Sequence, residues 1–353
     1  MNDSEINRQM LVLARESRGL TQQELAQAIT VKQGYISKIE GGLLNVSDEY
    51  LVKIAEVLEY PKEFFFQPDE VRGVGSACNY HRKRESLTLR NWHKITARLN
   101  ILRLHISKLL RGVDTEHEND FYYLDSDEYK PEQVARLIRK YWKIPSGPIA
   151  NLIAEIENAG AVVYLLPFGT DKLDAISQSV PGMPPLFLVN SEIPGDRCRF
   201  TLAHELGHII MHNNAHNENM EAEADRFAAE FLMPAKDIAD DLASINITKA
   251  ANLKPYWKVS IASLIRRAKD LKKINADQYV NLFKQLSYYG YRKNEPVKIP
   301  LEQPTVLKDT IQVYLSDYGY DIAALAKFLN LYENEAQKEF VPTIGGIPFL
   351  RVV

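Results

Sequence analysis

The chain has 353 residues, 45% of them hydrophobic and 25% charged, and a formal net charge of -3. That length accommodates two or three domains with separate cores, in a composition ordinary for a soluble globular protein. The polar opening MNDSEINRQM carries no secretory signal, no apolar run reaches the roughly 18 residues of a membrane span, and two cysteines, Cys78 and Cys198, cannot build a disulfide framework, so a cytoplasmic protein without membrane contact is expected.

Residues 5–66 read as short helices. In INRQMLVLARESRGL, the residues Ile6, Met10, Leu13 and Ala14 share a face, and Gly19 is a stop signal. TQQELAQAI opens with a capping box from Thr21 to Glu24. A short turn leads to KQGYISKIEGG, then SDEYLVKIAEVL and PKEFFF. LTQQELAQAITVKQGYISKIEGG thus has the layout of a helix-turn-helix with Leu25, Ala26, Val31, Ile36 and Ile39 as core. Gln22 is placed to meet a phosphate, and Lys32, Gln33, Gly34, Tyr35, Ser37 and Lys38 are expected to line the outward face of the second helix. Gln reads adenine and Lys reads guanine or phosphate in a major groove, so the expected partner is a double-stranded DNA operator. Residues 1–67 carry 7 Lys/Arg against 10 Asp/Glu, so the positive charge for phosphates must be local. The run HRKRE at 81–85 is one supplement.

Residues 72–111 hold ten Lys/Arg against Glu85 alone, and 114–128 hold seven Asp/Glu and no Lys/Arg. Within the basic stretch, Trp92, Ile95, Leu99, Leu102, Ile106, Leu109 and Val113 follow a heptad seam on a helix of about 90–113. Ile101, Leu104 and Leu110 widen it, so a helix docked inside one chain and a homodimer contact are equal readings.

From residue 131 the pattern becomes α+β. PEQVARLIRKYW and GPIANLIAEIENAG read as helices, and AVVYLLPF, LDAISQSV and PLFLVN as strands. Either of the last two could offer an edge to an extended peptide. No repeat of roughly 20–50 residues stands out.

FTLAHELGHIIMHNNAHNENMEAEADRFAAEFLMP then carries four histidines and an acidic run. His204-Glu205-Leu206-Gly207-His208 is the H-E-x-x-H pattern, which puts two imidazoles on one helix face with Glu205 beside it. A catalytic zinc takes three protein ligands and keeps one position open. Glu221 and Asp225 share a face of the next helix. We assign Glu221 as third ligand and Asp225 as the carboxylate that accepts the other N–H of His204 or His208, with Glu223 as the fallback ligand. His212, eight residues from His204, is turned by about 80° and is expected to rim the cleft; His216 is expected to be exposed. Glu205 is the general base on water. For the oxyanion, Arg197, Arg199 and Tyr256 are unranked candidates, and Cys198 reads as a small buried residue.

These motifs carry two resemblances. Residues 5–66 resemble the Xre/Cro-type helix-turn-helix family through LTQQELA, YISKIEGG and LVKIAEVL. Thr30 departs from its usual turn Gly and Lys32 from its usual Ser/Thr cap, and a Thr at positive φ carries a cost. Residues 131–300 resemble the ImmA/IrrE (M78) zinc metallopeptidases through GDRCRFTLAHELGHIIMH, EAEADRFAAEFLMP, VSIASLIRRAKDL and YGYRKNEP. The resemblance implies ligands at His204, His208 and Glu221 and the base at Glu205, with Asp225 where many members have Asn. It also implies a bacterial regulator that cleaves a helix-turn-helix repressor in a stress, mobile-element or phage-related response.

The fold class expected is multidomain: an all-α helix-turn-helix domain (1–68), a basic connecting segment with the long helix (69–130), an α+β zincin-like metallopeptidase domain with a small sheet (131–300), and a helical C-terminal extension (301–353). The alternative is a DNA-binding repressor or antitoxin whose peptidase-like domain only senses or binds a partner.

Overall fold

A computed structural model describes residues 6–68, 88–113, 117–124, 128–212 and 219–340. The segment HRKRE, Cys78 and His216 lie outside them. In chain order, α1 (Arg8–Ser17), α2 (Gln22–Ala28), α3 (Gln33–Glu40) and α4 (Asp48–Leu58) precede a 3-10 turn, Lys62–Phe66, and the long α5 (Leu89–Leu110). Next come α6 (Pro131–Tyr141), α7 (Leu152–Asn158), β1 (Val162–Leu166), β2 (Ala175–Gln178), β3 (Leu186–Asn190), α8 (Gly195–Met211) and α9 (Met220–Leu232). The helices α10 (Ala235–Ile238), α11 (Ile247–Trp257), α12 (Ile261–Asp270) and α13 (Ala276–Tyr288) follow, then α14 (Val306–Ser316), α15 (Ile322–Leu329) and α16 (Glu333–Phe340).

The described residues fall into two compact units, one of 6–68, 88–113 and 305–340, the other of 117–304. The long helix, assigned above to a connecting segment, and the last three helices, assigned above to an extension, both group with the helix-turn-helix. Among the described residues no helix is long and apolar enough to cross a membrane.

In the first unit the capping box at Thr21 forms as read, with Thr21 Oγ1 accepting from Glu24 N at 3.1 Å and Glu24 Oε2 from Thr21 N at 2.7 Å. Leu25, Ala26, Ile36 and Ile39 are buried. Thr30 takes the left-handed turn position itself, at φ 61°. The seam of α5 is covered within the unit: Ile95, Leu99, Leu102, Ile106 and Leu109 are all buried, and so are Ile101 and Leu104.

In the second unit the three strands form one sheet of order β1-β3-β2, with β1 parallel and β2 antiparallel to β3. The strand PLFLVN is therefore central, and LDAISQSV supplies an edge. α8 packs against this sheet and against α9. It is buried along nearly its whole length, and the buried set includes the polar Asp196, Arg199, His204, Glu205 and His208, which must therefore find partners inside the unit.

Gly207, between the two histidines of α8, sets how close α9 comes. A Cβ there would meet the Phe227 side chain at 3.0 to 3.3 Å. Gly207→Ala should therefore destabilise the second unit by about 1–3 kcal/mol, read as a lower thermal midpoint. It should also weaken metal binding more than Gly34→Ala in the other unit, whose surroundings are open.

Candidate metal centre

One turn of α8 separates His204 from His208, and their Nε2 atoms lie 3.0 Å apart. From α9, Glu221 brings Oε1 to 3.2 Å from His208 Nε2 and Oε2 to 3.5 Å from His204 Nε2. Among the described residues these three donors form a group close enough to share one ion.

The outer nitrogens decide what the inner ones present. His204 Nδ1 lies 2.9 Å from Asp225 Oδ1, and an ionised carboxylate only accepts, so that nitrogen carries the hydrogen. His212 Nε2 lies 2.9 Å from Glu223 Oε2 and is protonated for the same reason. Burial pushes the His212 pKa down against the pull of Glu223, so its Nδ1 is left with a lone pair. His208 Nδ1, 3.0 Å from that lone pair, is then the donor. Both Nε2 atoms are thereby aimed, as lone pairs, at the side of Glu221. This assignment of hydrogens follows from the network of partners.

Three acceptors separated by 3.0 to 3.5 Å repel unless something positive sits among them. A tetrahedral cation with bonds of about 2.0–2.1 Å wants its donors roughly 3.3 Å apart. The donor set fits such an ion. In the metal-free protein a proton does the same work. Burial opposes charge on His204, but hydrogen bonds to Asp225 and Glu221 outweigh it and raise the pKa to about 9. Burial also works against the Glu221 carboxylate, and His204 and His208 together hold it far below the usual carboxylate range.

Glu205 follows His204 by one residue, about 100° around the helix, and is fully buried. Its Oε2 accepts a 2.7 Å hydrogen bond from Ser177 Oγ. Ser177 lies on the edge strand β2, so the carboxylate sits between the sheet edge and the two histidines. Sequence reasoning passed over Ser177, because a contact between residues 28 positions apart leaves no local signal. It also placed His212 at a cleft rim, whereas the ring is buried and turned onto His208. Glu223, the fallback ligand, pairs with that ring instead of joining the three donors.

Of the oxyanion candidates, Arg197 is tied to Asp174 at 2.7 Å and the buried Arg199 to Glu302 and the Ile149 carbonyl. Tyr256 is exposed. Cys198 is buried, and burial, with a smaller push from Glu302, raises its thiol to about 12; it behaves as an inert core residue.

In the first unit the outward residues of α3 are organised by a polar chain. Arg15 donates two hydrogen bonds to Glu40, at 2.6 and 3.0 Å. Glu40 also accepts from Gln22 Nε2 at 2.8 Å, and Gln22 Oε1 accepts from Gln33 Nε2 at 3.2 Å. Lys32 is the N-cap of α3 without a side-chain cap bond. Gly34 has open space around it, and Ser37 and Lys38 are exposed. Tyr35 departs from the outward set: it is half-buried, with its ring 5.0 Å from that of Tyr50.

Comparison with known families agrees with both halves. Residues 11–65 match the helix-turn-helix family model, and residues 156–269 match that of the M78 peptidases, described as the IrrE N-terminal-like domain. The chain fuses a helix-turn-helix domain to an M78 peptidase domain. The M78 match spans β1 through α12 and so contains the three donors and Glu205. The match to a metallopeptidase family model implies a metal at this site. No curated protein matches the chain.

Because His204 is protonated up to about pH 9 in the metal-free M78 domain, a cation must displace that proton. Uptake at pH 7 should release about one proton from the site, measured by calorimetry in buffers of different ionisation enthalpy, and apparent affinity should rise towards pH 9. The raised pKa also stabilises the metal-free fold below the unfolded value of about 6.5. That contribution is lost as pH climbs through about 9. The metal-free thermal midpoint should therefore fall over this window, and a flat midpoint with no proton release would contradict the assignment.

Proposed function

We propose that the chain is a DNA-binding transcriptional regulator that is also a zinc endopeptidase, acting in the bacterial cytoplasm on a helix-turn-helix repressor. In this reading residues 1–68 bind the operator and 131–300 form the peptidase domain. His204, His208 and Glu221 hold the zinc, Asp225 orients His204, and Glu205 is the general base. Gln22, Lys32, Gln33, Gly34, Ser37 and Lys38 supply the DNA contacts, and Tyr35, half-buried against Tyr50, braces the helix that carries them. The observation that carries the reading is the convergence of two imidazoles and a carboxylate beside a buried Glu205 that is hydrogen-bonded to the sheet edge. Two imidazoles and a carboxylate suit zinc among the divalent ions. The repressor as substrate is supported by the resemblance to ImmA/IrrE peptidases.

Bound zinc supplies Lewis acidity to the scissile carbonyl. The chain's own groups do the rest. An extended substrate that runs along β2, the edge strand of the sheet, brings its backbone alongside α8. Ser177 donates to Glu205 and fixes its carboxylate, which takes a proton from the attacking water and hands it to the leaving amine. Asp225 keeps the hydrogen of His204 on Nδ1, and the Glu223–His212 pair keeps that of His208 on Nδ1 as well. Neither imidazole can then turn a hydrogen towards the ion.

The test is to incubate the zinc-loaded protein with repressors encoded beside its gene and identify fragments by mass spectrometry. Glu205→Gln should keep its zinc and its DNA binding but lose cleavage by about 10²-fold or more. Cleavage at the original rate in that variant would refute the assigned base. Intact candidates under the unaltered protein would favour a domain that only binds its partner.

A further inference from the structure

The last three helices repeat the first three, in register. α15 begins 300 positions after α2, and α16 spans the positions 300 beyond α3. Thr21 and Asp321 are the N-caps, each accepting from a backbone N–H three residues on, at 3.1 and 2.7 Å. Gly19 and Gly319 share positive φ, 69° and 65°, and so do Thr30 and Asn330, 61° and 57°. The turn closes with the same bonds: Thr30 N to Gln27 O and Asn330 N to Lys327 O, both 3.2 Å, then Val31 N to Ala26 O at 2.9 Å and Leu331 N to Ala326 O at 2.8 Å. The cores match as well, with Leu11, Leu25, Ala26 and Ile36 answered by the buried Ile311, Leu325, Ala326 and Ala336. The sequence hides this, since between 8–40 and 308–340 only Gly19, Leu25, Ala26 and Lys38 recur as identical residues.

We infer that residues 306–340 are a second helix-turn-helix module that does not dock on DNA: α16 exposes Asn334, Gln337 and Lys338, but lacks the groups that seat α3 on a phosphate, so that the chain engages duplex DNA through α3 alone, at one site per chain. The inference rests on the reading of α3 as the DNA-contacting helix. The polar chain Arg15–Glu40–Gln22–Gln33 that organises the first module is replaced, position by position, by Leu315, Phe340, Ile322 and Glu333. Ile322 cannot donate to a phosphate as Gln22 can. Glu333 sets a negative charge at the N-terminus of α16, where the backbone would meet it. Glu335, at the place of Tyr35, is drawn 3.0 Å from Arg18.

The second module is also committed to its own unit. Phe340 is fully buried with its ring against His105 of α5, and Tyr314 donates to the Leu109 carbonyl at 2.9 Å. α1 and α14 both pack on α5. The apolar seam that could have paired two chains is therefore covered from within. One chain then carries one reading head, and its DNA site needs no two-fold repeat.

The full-length protein should be used to enrich bound sequences from random duplexes of about 30 base pairs, roughly three helical turns. One motif without two-fold symmetry is expected, with one chain per duplex by analytical sedimentation. On that motif, Gln33→Ala and Lys38→Ala should each weaken binding about tenfold. Their exposed counterparts Glu333→Ala and Lys338→Ala, and likewise Asn334→Ala and Gln337→Ala, should stay within about twofold. A palindromic motif carrying two chains, or a loss from the α16 variants equal to that from α3, would overturn the inference while leaving DNA binding by α3 intact. Failure to enrich any motif would instead remove the reading of α3, and the inference with it. Thermal midpoints of each variant separate loss of contact from loss of fold.

Discussion

Two imidazole nitrogens and one carboxylate held 3.0 to 3.5 Å apart are the constraint on which the peptidase unit is built. Left alone they repel, so the surrounding chain both forces them together and provides for a positive occupant. Gly207 allows α9 to approach α8 closely enough for Glu221 to reach both imidazoles. Asp225 lies on the same face of α9 one turn beyond Glu221, so the helix that supplies a donor also fixes the ring opposite it. The charge balance at the centre and the packing of two helices are one problem here.

The buried row Glu223–His212–His208 shows what that solution demands of the core. His208 and His212 are fully buried, where an unpaired polar atom costs about 1–3 kcal/mol. The row avoids this by pairing each ring nitrogen in turn and ending on a carboxylate with 18% of its side chain exposed. A fully satisfied row of this kind also permits only one arrangement of hydrogens. Rigidity at His208 Nε2 is the gain, and the polar cost is carried at the edge of the unit.

Much of the site was legible because helical spacing is a local rule. His204, His208, Glu221 and Asp225 each stand four residues from a partner, and four residues is one turn. His212 obeys the same rule with respect to His208. Measured against His204 it is rotated off the face, and that comparison sends it wrongly to a rim. Ser177 illustrates the opposite limit, since its meeting with Glu205 depends on which strand becomes an edge. Nothing within LDAISQSV or PLFLVN determines that; the antiparallel pairing of β2 on β3 does. The second helix-turn-helix escapes for a related reason, as turn geometry and core positions recur while surface chemistry does not.

The long helix α5 makes the same point about stripes. A 3,4 spacing specifies an apolar face but not whose surface covers it, and an intrachain partner satisfies it as well as a second copy. The telling residues are those off the seam. Ile101 and Leu104 are buried too, and a helix apolar beyond one stripe belongs inside a core. Asn100, also buried, returns its amide to the Thr96 carbonyl at 3.1 Å, so a polar residue sits within this core by bonding its own helix. Burial on more than one face is what a shared spine between two modules requires. It leaves surface chemistry on the two modules free to diverge while both keep one fold.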